Sequence, residues 1–268
     1  MKQRIVLLAF FALASVVILL VITRKQSDRD LPEILSDGRI TVLIDSGEHG
    51  FTRDSAKVAG FQYEVVKLFA DELGVELVIL QEPDHAKGSA ELLSGDCDII
   101  VSLQPLISDS TLGIVSVYPL VETNLMLVQL PDSAGKLSVS TQYELEGKTI
   151  SLIKASPFRQ LLTYFSEDMA IEPTIVETEF TNLDAMMQSI LDKNHALTVC
   201  PDYLTKRLKQ KYPQADFSLP LTFYLQLAWT VRDNSPELKN RLDAFTANFV
   251  GTATYWSMYN TYFMNDTN

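Results

Sequence analysis

Residues that commonly carry metal or enzyme chemistry are scarce in this sequence. It contains three histidines, His49, His85 and His195, and two cysteines, Cys97 and Cys200. Their spacing matches no metal-binding motif, and the chain lacks a Gly-x-Ser-x-Gly turn, a phosphate-binding loop and a Cys-x-x-Cys pair. We therefore expect neither a metal ion nor a cofactor.

Positive charge is also scarce. The 268-residue chain has 22 lysines and arginines against 34 aspartates and glutamates, which gives a net charge of −12 at pH 7. All four charged residues among the first 25 are positive, so the rest of the chain carries a net charge of −16. Nucleic-acid binding depends on basic residues that neutralise phosphates, so this balance argues against nucleic acid as a partner. The length suffices for one large or two medium-sized domains.

The longest apolar run covers residues 5–22 and is interrupted only by Ser15. At about 1.5 Å per residue, a helix of this length just spans the hydrocarbon core of a membrane. The run continues beyond an Ala-Leu-Ala sequence that resembles a signal-peptidase site, and signal peptides usually have shorter apolar regions. An uncleaved membrane helix within residues 1–25 is therefore favoured, with a cleaved signal peptide as the alternative.

Residues 60–102 indicate the fold class. Apolar side chains at positions 61, 65, 68, 69 and 73 share one face of a helix, and Gly74 follows where a helix end favours a left-handed residue. A strand at 75–80, a short helix near 91–93 and a buried strand at 98–102 complete the unit. This alternation predicts an α/β fold with parallel strands covered by helices. Ligands bind such sheets beyond the carboxyl ends of the strands.

The same stretch resembles a known family. It reads Gly-Phe-x-Tyr-Glu-x-x-x-x-Phe-Ala-x-x-Leu-Gly-Val, followed by Leu-x-x-Gly-x-x-Asp. This pattern is similar to that of the extracytoplasmic solute-binding proteins of family 3, and most of all to the binding domain of membrane-bound lytic murein transglycosylase F. The resemblance extends more weakly over residues 31–263.

The resemblance implies a two-lobed clamshell of the type 2 periplasmic-binding-protein class, with two hinge crossings. Lobe one would comprise residues 36–128 and 222–268, lobe two would comprise residues 129–221, and residues 26–35 would form a linker after the membrane helix. Because Cys97 and Cys200 fall in different lobes, we expect two small buried side chains rather than a disulfide.

One departure from the family concerns the ligand. In its amino-acid receptors, an arginine of lobe one clamps the ligand carboxylate, and this chain lacks that arginine. It has no arginine between Arg53 and Arg159 and no lysine between Lys87 and Lys136, while Asp109 stands near the place of the arginine. The resemblance therefore implies a small ligand other than an ordinary α-amino acid.

Candidate cleft residues come from the ends of the matching strands and from a helix start in lobe two. Ser156 is predicted to cap that helix, with Arg159 beside it as an anion contact. In the amino-acid receptors an aspartate pairs with the ligand amine, and Cys200 occupies its position here. Asp202, two residues further on, is therefore the candidate to bind a ligand amine. On the residues alone, Phe51 could equally cover the core, Arg159 could face water and Asp202 could begin a helix. The predicted ligand-binding residues are Phe51, Ser102, Gln104, Ser156, Arg159 and Asp202.

The resemblance implies a periplasmic solute-binding or sensing protein, anchored in the inner membrane by its N-terminal helix. The transglycosylase carries its catalytic glutamate in a separate C-terminal domain with no counterpart in this sequence, so we expect a non-enzyme. A membrane permease or a murein enzyme is the expected protein partner. The alternative is a degenerate clamshell that no longer binds solute and serves as a protein-interaction module near peptidoglycan enzymes.

Overall fold

The computed structural model describes residues 29–47, 49–53, 58–82, 84–106 and 112–264. Most of these residues form two β-sheets, each with parallel and antiparallel strands, and the helices that cover them. The apolar run at residues 5–22, predicted to be a membrane helix, lies outside the described residues, as does Asp109. Within the described ranges, no helix is both long enough and apolar enough to cross a membrane.

Six strands form the larger sheet: β1 (Arg39–Ile44), β4 (Glu76–Leu80), β5 (Ile99–Pro105), β6 (Ile114–Ser116), β7 (Val121–Thr123) and β12 (Leu225–Arg232). The short strands β2 (Thr52–Arg53) and β3 (Val58–Ala59) pair with each other in a separate sheet. Their order is β4-β1-β5-β12-β6, and β7 pairs with the first residues of β12. β1 runs parallel to β4 and β5, whereas β12 runs antiparallel to β5, β6 and β7. β5 is buried along its whole length, as its apolar sequence predicts for a central strand.

Helices cover both faces of this sheet. Val42 and Ile44 of β1 belong to the main hydrophobic core, whereas Leu43 packs with Leu92 on the opposite face. The helix predicted to end at Gly74 does so, and Gly74 adopts the left-handed conformation with φ 71°. The covering helices are α1 (Leu31–Asp37), α2 (Phe61–Leu73), α3 (His85–Ser94), α7 (Pro236–Phe249) and α8 (Ala253–Tyr259).

Most of the C-terminal aromatic side chains pack on the core, as their helical spacing predicts, but Trp256 is half exposed. Four of them surround Phe61, with ring centroids 6.2 Å away for Tyr255, 6.5 Å for Tyr259, 6.4 Å for Tyr262 and 4.9 Å for Phe263. These edge-on contacts pack the end of the chain onto α2.

The smaller sheet has four strands: β8 (Leu125–Gln129), β9 (Thr149–Leu152), β10 (Thr174–Glu177) and β11 (Leu197–Pro201). Their order is β10-β9-β11-β8, with β8 antiparallel to the others. Three helices accompany it: α4 (Arg159–Met169), α5 (Leu183–Leu191) and α6 (Thr205–Lys211). Cys97 lies in a hydrophobic cluster of the larger sheet and Cys200 in one of the smaller, and both are buried and unpaired.

The chain passes between the two sheets twice, which is the expected clamshell connectivity. The first crossing is at Asn124, between β7 and β8, and the second lies between Leu221 and β12. Thr123 pairs with Leu225, so the two crossings lie side by side. The lobe boundaries at residues 128 and 222 remain predictions. Sheet membership already changes at Asn124, because β8 pairs with β11 of the smaller sheet.

Candidate functional site

A cavity of about 650 Å³ lies where the carboxyl ends of strands from both sheets meet. Ile44 ends β1 and Leu152 ends β9, and both residues contribute to its wall. A second, more open hollow of about 480 Å³ lies beside α8 and has only Glu64 as a charged residue in its wall. The first cavity is therefore the better candidate site. Its polar lining includes Asp45, His49, Ser102, Ser156, Tyr203 and Arg207.

Asp45 and Ser102 form the polar end of the cavity on the larger sheet. Asp45 directly follows β1, and the neighbouring strand β5 carries Ser102, whose hydroxyl donates a hydrogen bond of 2.5 Å to Asp45 Oδ2. Burial raises the pKa of the Asp45 carboxyl, while the hydrogen bond from Ser102 and the charge of His85 oppose that rise. A cation placed here would favour the ionised carboxylate.

The loop after β1 is folded tightly enough to bring Asp45, Ser46, Gly47, His49 and Gly50 to the cavity wall. The Phe51 amide donates to the Asp45 carbonyl at 2.8 Å, and the Gly50 amide donates to the Gly47 carbonyl at 3.0 Å. A Cβ atom on Gly50 would lie 2.0 Å from the Asp45 carbonyl oxygen, so this position requires glycine. The loop therefore holds Asp45 and His49 on the same side of the larger sheet.

His49 lies between the two halves of the molecule. Its ring centroid is 4.9 Å from that of Tyr203, which follows β11, and 4.7 Å from that of Phe263 at the C-terminal end. Burial lowers the pKa of His49 to about 4, and the positive charge of Arg207 adds to this, while a hydrogen bond to the backbone of Tyr262 opposes it. His49 Nε2 is buried without a hydrogen-bond partner. The ring is therefore neutral at pH 7.

The smaller sheet contributes the charged pair Arg207 and Asp184. Arg207 lies on α6 and Asp184 in the first turn of α5, with 3.8 Å between Arg207 Nη1 and Asp184 Oδ2. Lys211 Nζ approaches the same carboxylate more closely, at 3.1 Å, and Tyr212 donates to it at 3.0 Å. Burial opposes ionisation, but these hydrogen bonds and the charge of Arg207 keep the pKa of Asp184 below its usual value.

An ion pair joins the two halves beside the cavity. Lys154 Nζ, in the turn after β9, lies 3.0 Å from Oδ2 of Asp84, which also caps α3 through the amides of Ala86 and Lys87. The hydrogen bond and charge of Lys154 lower the pKa of Asp84. Glu82 and His85 on one side and Ile153 on the other line the cavity, so the pair lies at its rim.

Two of the six predicted ligand-binding residues, Ser102 and Ser156, line this cavity. Ser156 does not cap α4 as predicted. The helix begins at Arg159 after Phe158, and Ser156 Oγ instead accepts a hydrogen bond of 3.3 Å from the Phe158 amide. The positive φ of 50° at Ala155 belongs to the turn that sets Ser156 against the cavity.

The other four predicted residues lie outside the cavity lining. Phe51 is buried in the core, 5.4 Å from the ring of Tyr63, and Gln104 is buried in β5. Arg159 is exposed and pairs with Glu177 at 3.4 Å. Asp202 is exposed in a short 3-10 helix after β11, where its carbonyl accepts from the Thr205 hydroxyl. For Phe51, Arg159 and Asp202 the structure has the arrangement that the sequence left open as the alternative.

The sequence argument missed Asp45, His49, Tyr203 and Arg207. Asp45 carries the same signal that selected Ser102, a polar residue at the carboxyl end of a predicted strand, so it could have been found. Arg207 gives no such signal. It belongs to a run of basic residues on α6, and only the rotation of that helix brings it to the cavity.

Comparison with known proteins supports the fold assignment. The chain is 23% identical over 241 residues to membrane-bound lytic murein transglycosylase F of Desulfosudis oleivorans, covering 89% of this chain and 52% of that protein. It thus spans about half the length of the curated relatives it matches. A mutant of ArgBP from T. maritima aligns with a TM-score of 0.71 and 18% identity, covering 88% of this chain and 99% of that one.

A second solved structure is the amino acid ABC transporter substrate-binding protein AbpA of Streptococcus pneumoniae bound to L-arginine. It aligns with a TM-score of 0.70 and 16% identity, covering 87% of this chain and 97% of that one. At this level of identity the likeness establishes the fold alone. Residues 39–265 match the family described as bacterial extracellular solute-binding proteins, family 3. The chain belongs to this family of extracellular solute-binding proteins.

Proposed function

We propose that this protein is a solute-binding or sensing protein of the periplasm, whose two lobes close on a small ligand in the 650 Å³ cavity. The observation that carries the proposal is the lining of this cavity, to which both sheets contribute polar side chains at their strand carboxyl ends. Its volume lies within the range of about 300–1,000 Å³ that small-molecule sites occupy. Membership of the solute-binding family favours binding over catalysis.

Two contacts across the cavity support a closing motion. Lys154 pairs with Asp84 at one side, and Tyr203 packs against His49 at the other. The two crossings at Asn124 and residues 222–224 are short, adjacent segments, which is the usual arrangement of a hinge. A ligand that contacts both lobes would therefore stabilise the closed form in proportion to the contacts it makes there.

The ligand is an amino-acid-like or other small polar solute, but not an ordinary α-amino acid held by a lobe-one arginine. Solved structures with this fold include proteins bound to L-arginine. This chain, however, has neither lysine nor arginine between residues 88 and 135, a range that includes the segment from the end of β5 to the first crossing. A carboxylate bound at the larger sheet would meet no fixed cation from that segment.

The N-terminal segment is proposed to tether the protein to the inner membrane. Arg29 is the first residue that the structure describes, and its carbonyl accepts hydrogen bonds of 2.8 Å from Arg232 Nη2 and Ser235 Oγ. Arg29 Nε pairs with Asp98, just before β5, at 2.8 Å. The chain thus enters the larger sheet at the amino ends of its strands, opposite the cavity, so a tether would leave the cavity open to solvent. A membrane permease or a murein enzyme is the proposed partner.

The test is thermal unfolding of the full chain in detergent against amino acids, peptides, sugars, organic acids, polyamines and murein fragments. A ligand at one hundred times its dissociation constant should add about 2.7 kcal/mol of stability. We expect a saturable shift for at least one solute, reduced in Ser102→Ala and unchanged in Ser94→Ala, which lies outside the cavity lining. If protein shown to be folded and free of bound solute responds to no compound, the solute-binding function is wrong.

A further inference from the structure

The last described residues of the chain contact both halves of the molecule. α8 ends at Tyr259, and Asn260–Met264 continue it as a π-helical turn. Such turns are rare in proteins and are found frequently at functional sites. We call Asn260–Met264 the C-terminal strap, because its contacts extend from α2 beside the larger sheet to the segment that follows β11 of the smaller sheet.

On the side of the larger sheet, Tyr262 and Phe263 hold the strap in place. The Gly60 amide donates a hydrogen bond of 3.2 Å to Tyr262 Oη, and the same hydroxyl donates to Glu64. The ring centroid of Phe263 lies 4.9 Å from that of Phe61, at the start of α2. The strap is therefore part of the larger-sheet half of the molecule.

On the side of the smaller sheet, the strap contacts the segment after β11. The ring centroids of Phe263 and Tyr203 are 5.3 Å apart, and His49 packs against both rings. Lys206 Nζ donates a hydrogen bond of 3.3 Å to the carbonyl of Met264. The strap thus joins the two halves without being one of the two crossings of the chain.

The segment that receives the strap lies between the crossings and the cavity. The Asp202 amide donates a hydrogen bond of 2.8 Å to the carbonyl of Asn124, the first crossing, whereas Tyr203 and Arg207 line the cavity. A rotation of the smaller sheet about the crossings would move Tyr203 and Lys206 relative to the strap. Hydrogen bonds and ring contacts act over short distances, so a displacement of about 1 Å is enough to break the first and weaken the second.

We infer that the C-terminal strap is a third, non-covalent connection between the lobes, which is made in the closed form and released when the cavity opens. This inference rests on the proposed solute-binding function and specifies how the opening of that site is regulated. The two covalent crossings permit rotation, whereas the strap favours its closed end. Because linkage is reciprocal, release of the strap favours opening of the cavity, and opening of the cavity favours release of the strap.

The experiment measures the separation of the lobes in the ligand-free full chain in detergent. Spin labels are attached through Asp96→Cys and Asp192→Cys, two exposed positions that precede β5 and β11 at the strand ends away from the cavity. Cys97 and Cys200 are buried, so we expect them to stay unlabelled. Double electron–electron resonance then gives the distribution of distances between the labels, and from it the ratio of open to closed form.

Two substitutions weaken the strap from opposite sides. Lys206→Met keeps the aliphatic part of the side chain and removes the donor to the Met264 carbonyl. Phe263→Leu keeps an apolar side chain against Phe61 and removes the ring that faces Tyr203. Each change is expected to raise the ratio of open to closed form about two- to tenfold, the effect of one hydrogen bond or one ring pair.

The matched controls remove a similar side chain outside the contact. Lys209→Met changes an exposed lysine of α6, the helix that carries Lys206, and Trp256→Leu removes a half-exposed ring of α8 that precedes the strap. Both controls should keep the distance distribution of the parent.

Lys154→Gln tests the same coupling from the rim of the cavity. It breaks the ion pair with Asp84, which joins the lobes there. Hydrogen exchange of the strap amides, followed by mass spectrometry, should become about two- to fivefold faster, because an exposed ion pair favours the closed form by about that factor.

The outcomes separate this inference from the proposed function. A shift toward the open form in Lys206→Met and Phe263→Leu, with unchanged controls, supports the strap. Distributions equal to that of the parent, equal shifts in the controls, or unchanged exchange in Lys154→Gln overturn it. If Phe263→Leu fails to fold, Lys206→Met decides.

None of these measurements uses a ligand, so the thermal-unfolding panel judges the solute-binding function separately. A protein that binds a solute but fails the strap measurements keeps its function and loses the strap. A protein that responds to no compound loses the solute-binding function and, with it, the regulation of that site.

Discussion

Lys154 Nζ lies 3.0 Å from Asp84 Oδ2, and this ion pair connects the turn after β9 to the first turn of α3 across the rim of the cavity. It is a contact between the two halves of the clamshell that needs no ligand. Because the Lys154 side chain is 44% exposed, the pair stabilises the closed arrangement without dominating it. The proposed ligand would then shift the balance between the open and closed forms.

Replacing Lys154 with glutamine should shift the ligand-free protein toward an open form. The turn keeps its backbone hydrogen bond from the Lys154 amide to the Phe180 carbonyl, so only the contact between the lobes is lost. Small-angle scattering of the ligand-free variant should show a larger radius of gyration, with little change in Tm. Lys209→Gln is the control for loss of one positive charge. Equal radii of gyration for the two variants would show that the Lys154–Asp84 pair does not hold the lobes together.

The stability of the protein should fall as the pH drops from about 6.5 toward about 4 because of His49. Its pKa of about 4 in the folded protein is below the ordinary value of 6.5, so the unfolded chain binds the proton first. The stabilisation is fully present above pH 6.5, declines through this window and is lost below about 4. Arg207 is the charged group that opposes protonation of the ring.

The measurement is urea unfolding of the parent and of His49→Phe between pH 4 and pH 7.5. The phenyl ring keeps the contact with Tyr203 and Phe263 but cannot take a proton, so the curve of stability against pH should be flatter. His195→Gln removes a histidine outside the cavity lining and should preserve the slope. Parallel curves for the parent and His49→Phe would rule out His49 as the source of the pH dependence of stability.

Asp45→Asn should stabilise the ligand-free protein at neutral pH. The pKa of Asp45 is raised in the folded state, so its ionisation disfavours folding once the pH exceeds the ordinary value of 3.8. The amide keeps the hydrogen bond from Ser102 and removes that cost. We expect Tm to rise by about 2 °C, the shift that about 1 kcal/mol produces in a domain of 150–250 residues.

Scanning calorimetry at pH 7.5 and pH 4 tests this, because the advantage of the variant should grow as the pH rises. Asp96→Asn, on an exposed turn, serves as the control and should leave Tm unchanged at both pH values. If the variant is less stable than the parent at pH 7.5, the Asp45 carboxylate stabilises the ligand-free fold, which contradicts this prediction.

Arg232→Gln should destabilise the fold strongly. The Arg232 side chain is fully buried and donates to the carbonyls of Leu92 at 2.8 Å and Cys97 at 2.6 Å, and it lies 3.4 Å from the buried Asp98. Removing one partner of a buried ion pair costs about 3–5 kcal/mol. Here the carbonyls of Leu92 and Cys97 lose their donor, and Asp98 loses one of its two arginine partners.

Equilibrium unfolding in urea would measure this loss. Arg241→Gln breaks an exposed pair with Glu72 and should cost about 1 kcal/mol or less. Similar losses for the two variants would indicate that the Arg232 network contributes no more than a surface pair. The network also holds the carbonyl of Arg29, so its loss should make the chain around Arg29 more accessible to proteases.

The local elements of this protein follow from its sequence. The apolar spacing of Phe61, Val65 and Phe69 with Gly74 at the end specifies α2, because a helix face and its left-handed terminus depend on neighbours within a few residues. The buried stripe of α7 and the aromatic packing of the last helix follow for the same reason. Ser102 was found because polar residues at strand ends share one edge of an α/β sheet.

The composition of the cavity was decided by the tertiary structure. Asp45 and Ser102 are 57 residues apart in the chain and meet because β1 and β5 are neighbours in one sheet. Arg207 reaches the cavity because Leu208 beside it is buried in the smaller lobe, which fixes the rotation of α6. The sequence alone thus determined the α/β class, since this depends on local periodicity, and its resemblance to a known family implied the two lobes. Which charges face each other across the cavity depended on how two lobes, joined by two short crossings, pack together.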